Sequence, residues 1–146
     1  MPKNCCRHHA LTMAYAALML SAPLTVRAAP TPFDGAWNVT LRCPPHNDDD
    51  DTRGYTHRFP VQVVDGELRG THGAEGEPGW HLLVGRIASD GSAKLRLDGV
   101  VNNPDYAINK AQRGKTYSYR VRALFTESSG SGERLTGRVC EFRFVR

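Results

Sequence analysis

Beyond residue 36, apolar and polar residues alternate with a period of two, the repeat of a strand that buries one face. From Trp37 to Cys43 one face is Trp37, Val39, Leu41 and Cys43, and the other is polar. Tyr55 to Val63 repeats the pattern, with Tyr55, His57, Phe59, Val61 and Val63 inward. Asp65-Gly66 is a hairpin signal and leads into a short strand, Glu67 to His72, before a Gly-rich loop that reaches Gly79. Trp80 to Ala88 is the next strand. Asp90-Gly91 turns it into Ser92 to Val100, where Ala93, Leu95, Leu97 and Gly99 face in. Residues 102–115 have no clean period and contain Pro104 and Gly114, so the longest connection falls there, with room for a short helix or lid. Thr116 to Thr126 sets Tyr117, Tyr119, Val121, Ala123 and Phe125 against Ser118, Arg120 and Arg122. Ser128 to Gly132 reads as a turn, and Arg134 to Val145 as a final strand with Cys140, Phe142 and Phe144 inward. The expected fold is all-β: seven or eight antiparallel strands, each with one wet face. Such strands must hide their edges. An up-and-down barrel does so by closing, and a β-sandwich is the alternative.

The first residues read as an address. Lys3 and Arg7 precede an uncharged stretch, Ala10 to Val26, that ends in small residues. That is a secretory signal, residues 1–28, cut after Ala28. The apolar stretch is shorter than the ~20 residues a bilayer span needs and is interrupted by Pro23, so no stable membrane anchor is expected after processing. The remainder reads as one domain, residues 33–146, expected in a bacterial periplasm or secreted. Cys5 and Cys6 leave with the signal. Cys43 and Cys140 remain, and an even count in an exported chain implies a disulfide. It ties the first strand of the domain to the last and so favours closure into a barrel.

The chain's net charge is +4, from 19 basic and 15 acidic residues. Lys3, Arg7 and Arg27 lie in the signal, so the domain is nearly neutral and no nucleic-acid partner is expected. His46, His57, His72 and His81 lack metal-ligand spacing, and no H-E-x-x-H or C-x-x-C occurs. Zinc is not expected, although His57 and His72 would make a polar spot inside a barrel. Asn47 to Asp51 offers oxygen ligands for calcium. Numbered as a calcium-binding loop from Asp49, however, it puts Gly54 sixth and Pro60 twelfth, where a Glu is needed. The run reads as a solvated loop. There is no G-x-S-x-G elbow, both remaining cysteines are expected to be oxidised, and Glu67, Asp98 and Glu141 read as outward. Neither a catalytic constellation nor a cofactor site is expected.

Two outer features are candidates for binding. Arg42, Arg58, Arg96, Arg120 and Arg122 all face out, and Arg suits paired contacts with phosphate, sulfate or carboxylate. With His81, Leu83, Gly85 and Ile87 facing in, Trp80, Leu82 and Val84 lie outside together as a candidate interface.

The segments FDGAWNVTLRC, GYTHRFPVQVVDGELRG, GEPGW with LVGRIASDGSAKLRL, NPDY, GKTYSYRVRALF and CEFRFV, in this order, resemble a group of small exported bacterial proteins that carries no assigned activity. Gly35-Ala36-Trp37 is also similar to the G-x-W start of the lipocalin and avidin barrels. That likeness implies a barrel with Trp37 plugging one end and Arg143 or Arg146 packed over it. The expected function is non-catalytic binding, foremost of a protein partner, as an inhibitor or envelope component. A small-molecule carrier, with an apolar ligand near Tyr55, Phe59, Tyr119 and Phe125, is one alternative. A polyanion binder acting through the arginines is another.

Overall fold

A computed structural model describes residues 29–46 and 51–146. The signal segment 1–28 and residues 47–50 of the acidic run lie outside them. Eight strands succeed one another: β1 (Gly35–Cys43), β2 (Tyr55–Val64), β3 (Glu67–His72), β4 (His81–Ile87), β5 (Ser92–Val100), β6 (Thr116–Phe125), β7 (Ser129–Arg134) and β8 (Glu141–Val145). Two 3-10 turns, Pro104–Tyr106 and Ile108–Lys110, lie in the long connection before β6.

Each strand pairs with the next, and the sheet closes from β8 back to β1. All the pairings are antiparallel, and Leu41 stands opposite Phe142 where the sheet closes. The fold is a closed up-and-down barrel, not a sandwich. Cys43 and Cys140 are disulfide-bonded across the closing seam, with their Cα atoms 4.3 Å apart.

β7 is the strand that hydrophobic periodicity misses. The stretch expected to be a turn forms a strand, and the expected final strand is broken at residues 135–140. The reason is steric. At the inward positions of β7 stand Gly130 and Gly132, where a Cβ would lie 2.9 Å from the Phe125 ring and 2.9 Å from the Ala123 Cβ respectively. Phe125, Ala123 and Val121 on β6 already occupy the space there, so β7 contributes backbone and no apolar side chain. At the β2–β3 hairpin the signal is sound: Asp65 (φ 51°) and Gly66 (φ 78°) are both left-handed, as a type I′ turn requires. The Asp34 carboxylate accepts from both of their amides and from Thr31, which holds its pKa down at about 2.

One half of the interior is solid. Trp37, Val39, Leu41, Phe142 and Phe144 are almost completely buried. Phe125 meets Trp37 edge-on at 5.5 Å and lies tilted against Phe144 at 4.6 Å. The Trp37 indole donates to the Phe33 carbonyl at 2.9 Å. Arg146 completes the plug: its guanidinium lies 5.4 Å from the Trp37 ring and donates to the carbonyls of Pro32, Asp34 and Glu127. Arg143, the other residue considered for this place, is exposed on the outer wall opposite Thr40 and Ser131.

Candidate functional site: a polar cup at the barrel mouth

The opposite end is not filled. A cavity of about 570 Å³ opens between the start of β2, the end of β3, the end of β5, the start of β6 and the end of β7. Alternation along β2 and β6 turns Tyr55, His57, Tyr117 and Tyr119 into it, and His72 and Arg134 enter from the ends of β3 and β7. Val101, Tyr106 and Ile108 bring the long connection over the rim. The short helix or lid expected in residues 102–115 is therefore a pair of 3-10 turns at the mouth. A different depression, about 630 Å³, lies against the outside of the plugged end, between Pro30, Gly35 and Val64.

Arg138 fixes the rim. It is buried and donates to the carbonyls of Pro44, Arg53 and Tyr106, which joins the β1–β2 connection, the first 3-10 turn and the β7–β8 loop. Its guanidinium also lies 5.4 Å from the Tyr55 ring. Arg134 covers the Tyr119 ring at 4.1 Å, a favourable cation–π contact.

The floor is a stack of imidazoles. His57 lies 4.5 Å from His72 and 5.3 Å from His81, His72 lies 4.9 Å from His81, and all three rings are nearly parallel. Below them Phe59 meets His81 edge-on at 4.7 Å. The expected polar spot of His57 and His72 is thus a cluster of three. Parallel rings do not aim their nitrogens at one point. Among the described residues no group of three or more His, Cys, Asp or Glu is arranged to hold a metal ion.

Burial sets the protonation of the cup. It pulls His81 down to about 3, helped by repulsion from His57 and His72, and it lowers His57 in the same way, with His72 second. Burial also raises the tyrosines Tyr55, Tyr117 and Tyr119. At neutral pH the imidazoles of His57 and His81 are therefore uncharged, and the phenols keep their protons. Four buried polar atoms here, His57 Nδ1, His81 Nε2, Tyr119 OH and Arg134 Nε, have no hydrogen-bond partner among the described residues. Buried polar groups are nearly always paired, and each one left unpaired costs about 1–3 kcal/mol. His57, Tyr119 and Arg134 line the cavity, and His81 lies in the floor beneath it, so the unpaired groups gather at this end of the barrel.

The outer candidates are less coherent. Trp80, Leu82 and Val84 are each only half-exposed. Along that face Leu82 stands between Thr71 and Asp98, and Val84 between Arg69 and Arg96, so charges interrupt the apolar strip. The arginines fall into two groups. Arg96 faces Arg120, and Lys94 faces Arg122, across β5 and β6. Arg42 and Arg58 lie on β1 and β2. Arg96 is paired with Asp98 and Arg122 with Glu133. Of the residues considered for an apolar ligand, Tyr55 and Tyr119 line the cup, Phe59 lies beneath it, and Phe125 belongs to the plug. Arg134 and Arg138 were not legible as site residues, because no apolar alternation marks the segment that carries them. No family model, curated protein or solved structure matches the chain.

Proposed function

We propose that this chain is an exported, non-catalytic binding protein that holds a small molecule in the cup at the barrel mouth. The observation that carries this reading is one cavity, walled by Tyr55, Tyr117 and the histidines His57 and His72, in which three lining residues, His57, Tyr119 and Arg134, each hold a buried, unpartnered polar atom. The cavity falls within the ~300–1,000 Å³ usual for small-ligand sites, which combine mainly apolar and aromatic walls with a few placed polar groups. An eight-stranded barrel is just wide enough either to be filled or to hold one such ligand. Here one half is filled and the other is not. The ligand occupies the mouth rather than the depth of the barrel, and it meets polar as well as apolar groups. A protein-docking role for Trp80, Leu82 and Val84 draws less support, since those side chains are half-covered and interspersed with charge.

Native mass spectrometry of the protein taken from its own compartment tests the proposal. A retained species of small-molecule mass, released on denaturation, is the expected result. A bare chain, or one that carries only another protein, would overturn it.

A further inference from the structure

Resting on that reading, we propose that the cup's ligand is a planar organic acid, an aromatic or conjugated carboxylate, with its acid group on Arg134 and its ring among the tyrosines and histidines. Three observations lead there. The first is the inventory of charge and hydrogen-bonding groups. Among the described residues the cup is lined by two arginines and by no carboxylate. The tyrosines hold their protons as donors, so the site is rich in donors and lacks a charged acceptor. Such a lining favours a guest rich in acceptors.

The second is the state of Arg134. Arg138 spends its guanidinium on backbone carbonyls at the rim. Arg134 instead lies over the Tyr119 ring, with its guanidinium carbon 4.1 Å from the ring centre, and its buried Nε–H has no partner among the described residues. The adjacent Tyr119 hydroxyl, on a side chain only 4% exposed, is unpartnered as well. A carboxylate accepts from a guanidinium edge and from a phenol together, in the paired geometry that Arg is suited to give.

The third is shape. Tyr117 and Tyr119 are parallel to within 8°, and the three imidazoles form a second set of flat faces. Flat walls select flat guests, because offset stacking adds to the area that is buried. An extended alkyl chain would need depth. The cup ends at the histidine floor, with Phe59 beneath and the lower barrel filled.

Isothermal titration of the disulfide-bonded protein at pH 7.5 with four probes tests this: 2-naphthoate, 2-naphthamide, 2-naphthylmethylammonium and decanoate. The expected order puts 2-naphthoate first, roughly tenfold or more ahead of each of the others, the size of effect that a charged hydrogen bond supplies. Arg134→Gln should remove the preference for 2-naphthoate over 2-naphthamide, and Arg134→Lys should restore part of the preference. Comparing the probes on the unaltered protein needs no variant to fold. Equal binding of naphthoate and naphthamide, or tighter binding of the cation or of decanoate, overturns the inference but leaves a small-molecule site standing. If none of the four binds and native mass spectrometry shows a bare chain, both readings fall.

Discussion

Acid should loosen this barrel through its histidine floor before its carboxylates respond, and the effect can be sized. His81 is 1% exposed, and its pKa falls from the ordinary 6.5 to about 3 in the fold. A group with a depressed folded pKa is neutral in the native state and charged in the unfolded chain at intermediate pH. Between these two values the unfolded state therefore binds one more proton. Stability rises with pH across the interval and is lost as pH falls through it. The limiting slope is about 1.4 kcal/mol per pH unit for one such group. Integrated from pH 7 down to pH 4.5, His81 alone should remove roughly 2–3 kcal/mol, and the lowered pKa of His57 acts in the same direction.

That window keeps the histidines apart from the depressed carboxylates. Asp34 is held at about 2, so the stability it supplies is present above the ordinary 3.8 and is lost only as pH falls below it. Urea unfolding with the disulfide intact, at pH 7 and at pH 4.5, reads the difference, and urea carries no charge to mask it. His81→Phe keeps an aromatic ring against Phe59 and removes the titrating nitrogen. It should lose markedly less stability than the unaltered protein over the same interval. Equal losses in the two proteins, or a flat profile between these pH values, would refute the reasoning.

Reducing the bond between Cys43 and Cys140, which stand 97 positions apart in sequence, reopens a long loop. By chain entropy this should lower stability by roughly 4–5 kcal/mol, read as a shift in the urea midpoint with and without reductant; before reduction no thiol among the described residues should react with a thiol reagent. Arg146→Ala should lower stability by about 1–3 kcal/mol, since it removes a charged donor from three carbonyls and uncovers Trp37. Arg143→Ala, on the outer wall, should stay within about 0.5 kcal/mol, and thermal melts of the pair would expose a mistaken assignment of the plug.

Most of the barrel could be read from the chain because its signal is local. Inward and outward parity along β1, β2, β5 and β6 comes directly from alternation, and Asp65-Gly66 names its own turn. β7 could not be read, because alternation reports side chains, and its inward places hold glycines that make room for Phe125 and Ala123. The site was only half legible. Tyr55, His57, His72, Tyr117 and Tyr119 follow from strand parity, but that they gather at one mouth is set by which ends of the strands lie together in the closed sheet. Arg138 is legible least of all. An arginine in a loop reads as solvated, and only the convergence of Pro44, Arg53 and Tyr106 from distant parts of the chain gives it a buried place.

The two ends of the barrel meet opposite physical demands, and the disulfide reconciles them. The plugged end is held by burial: Trp37, Phe125, Phe142 and Phe144 leave little space, and the stabilisation there grows with the area removed from water. The mouth cannot be stabilised in the same way. A cup packed with apolar side chains would hold no guest, and the unpartnered atoms of His57, His81, Tyr119 and Arg134 draw stability down. A covalent link acts mainly on the unfolded chain, so it adds stability without occupying native space. Cys43 stands opposite Tyr55, a residue that lines the cup, and Cys140 bonds to it from the far side of the closing seam. The cross-link therefore lies at the end of the barrel where packing can contribute least.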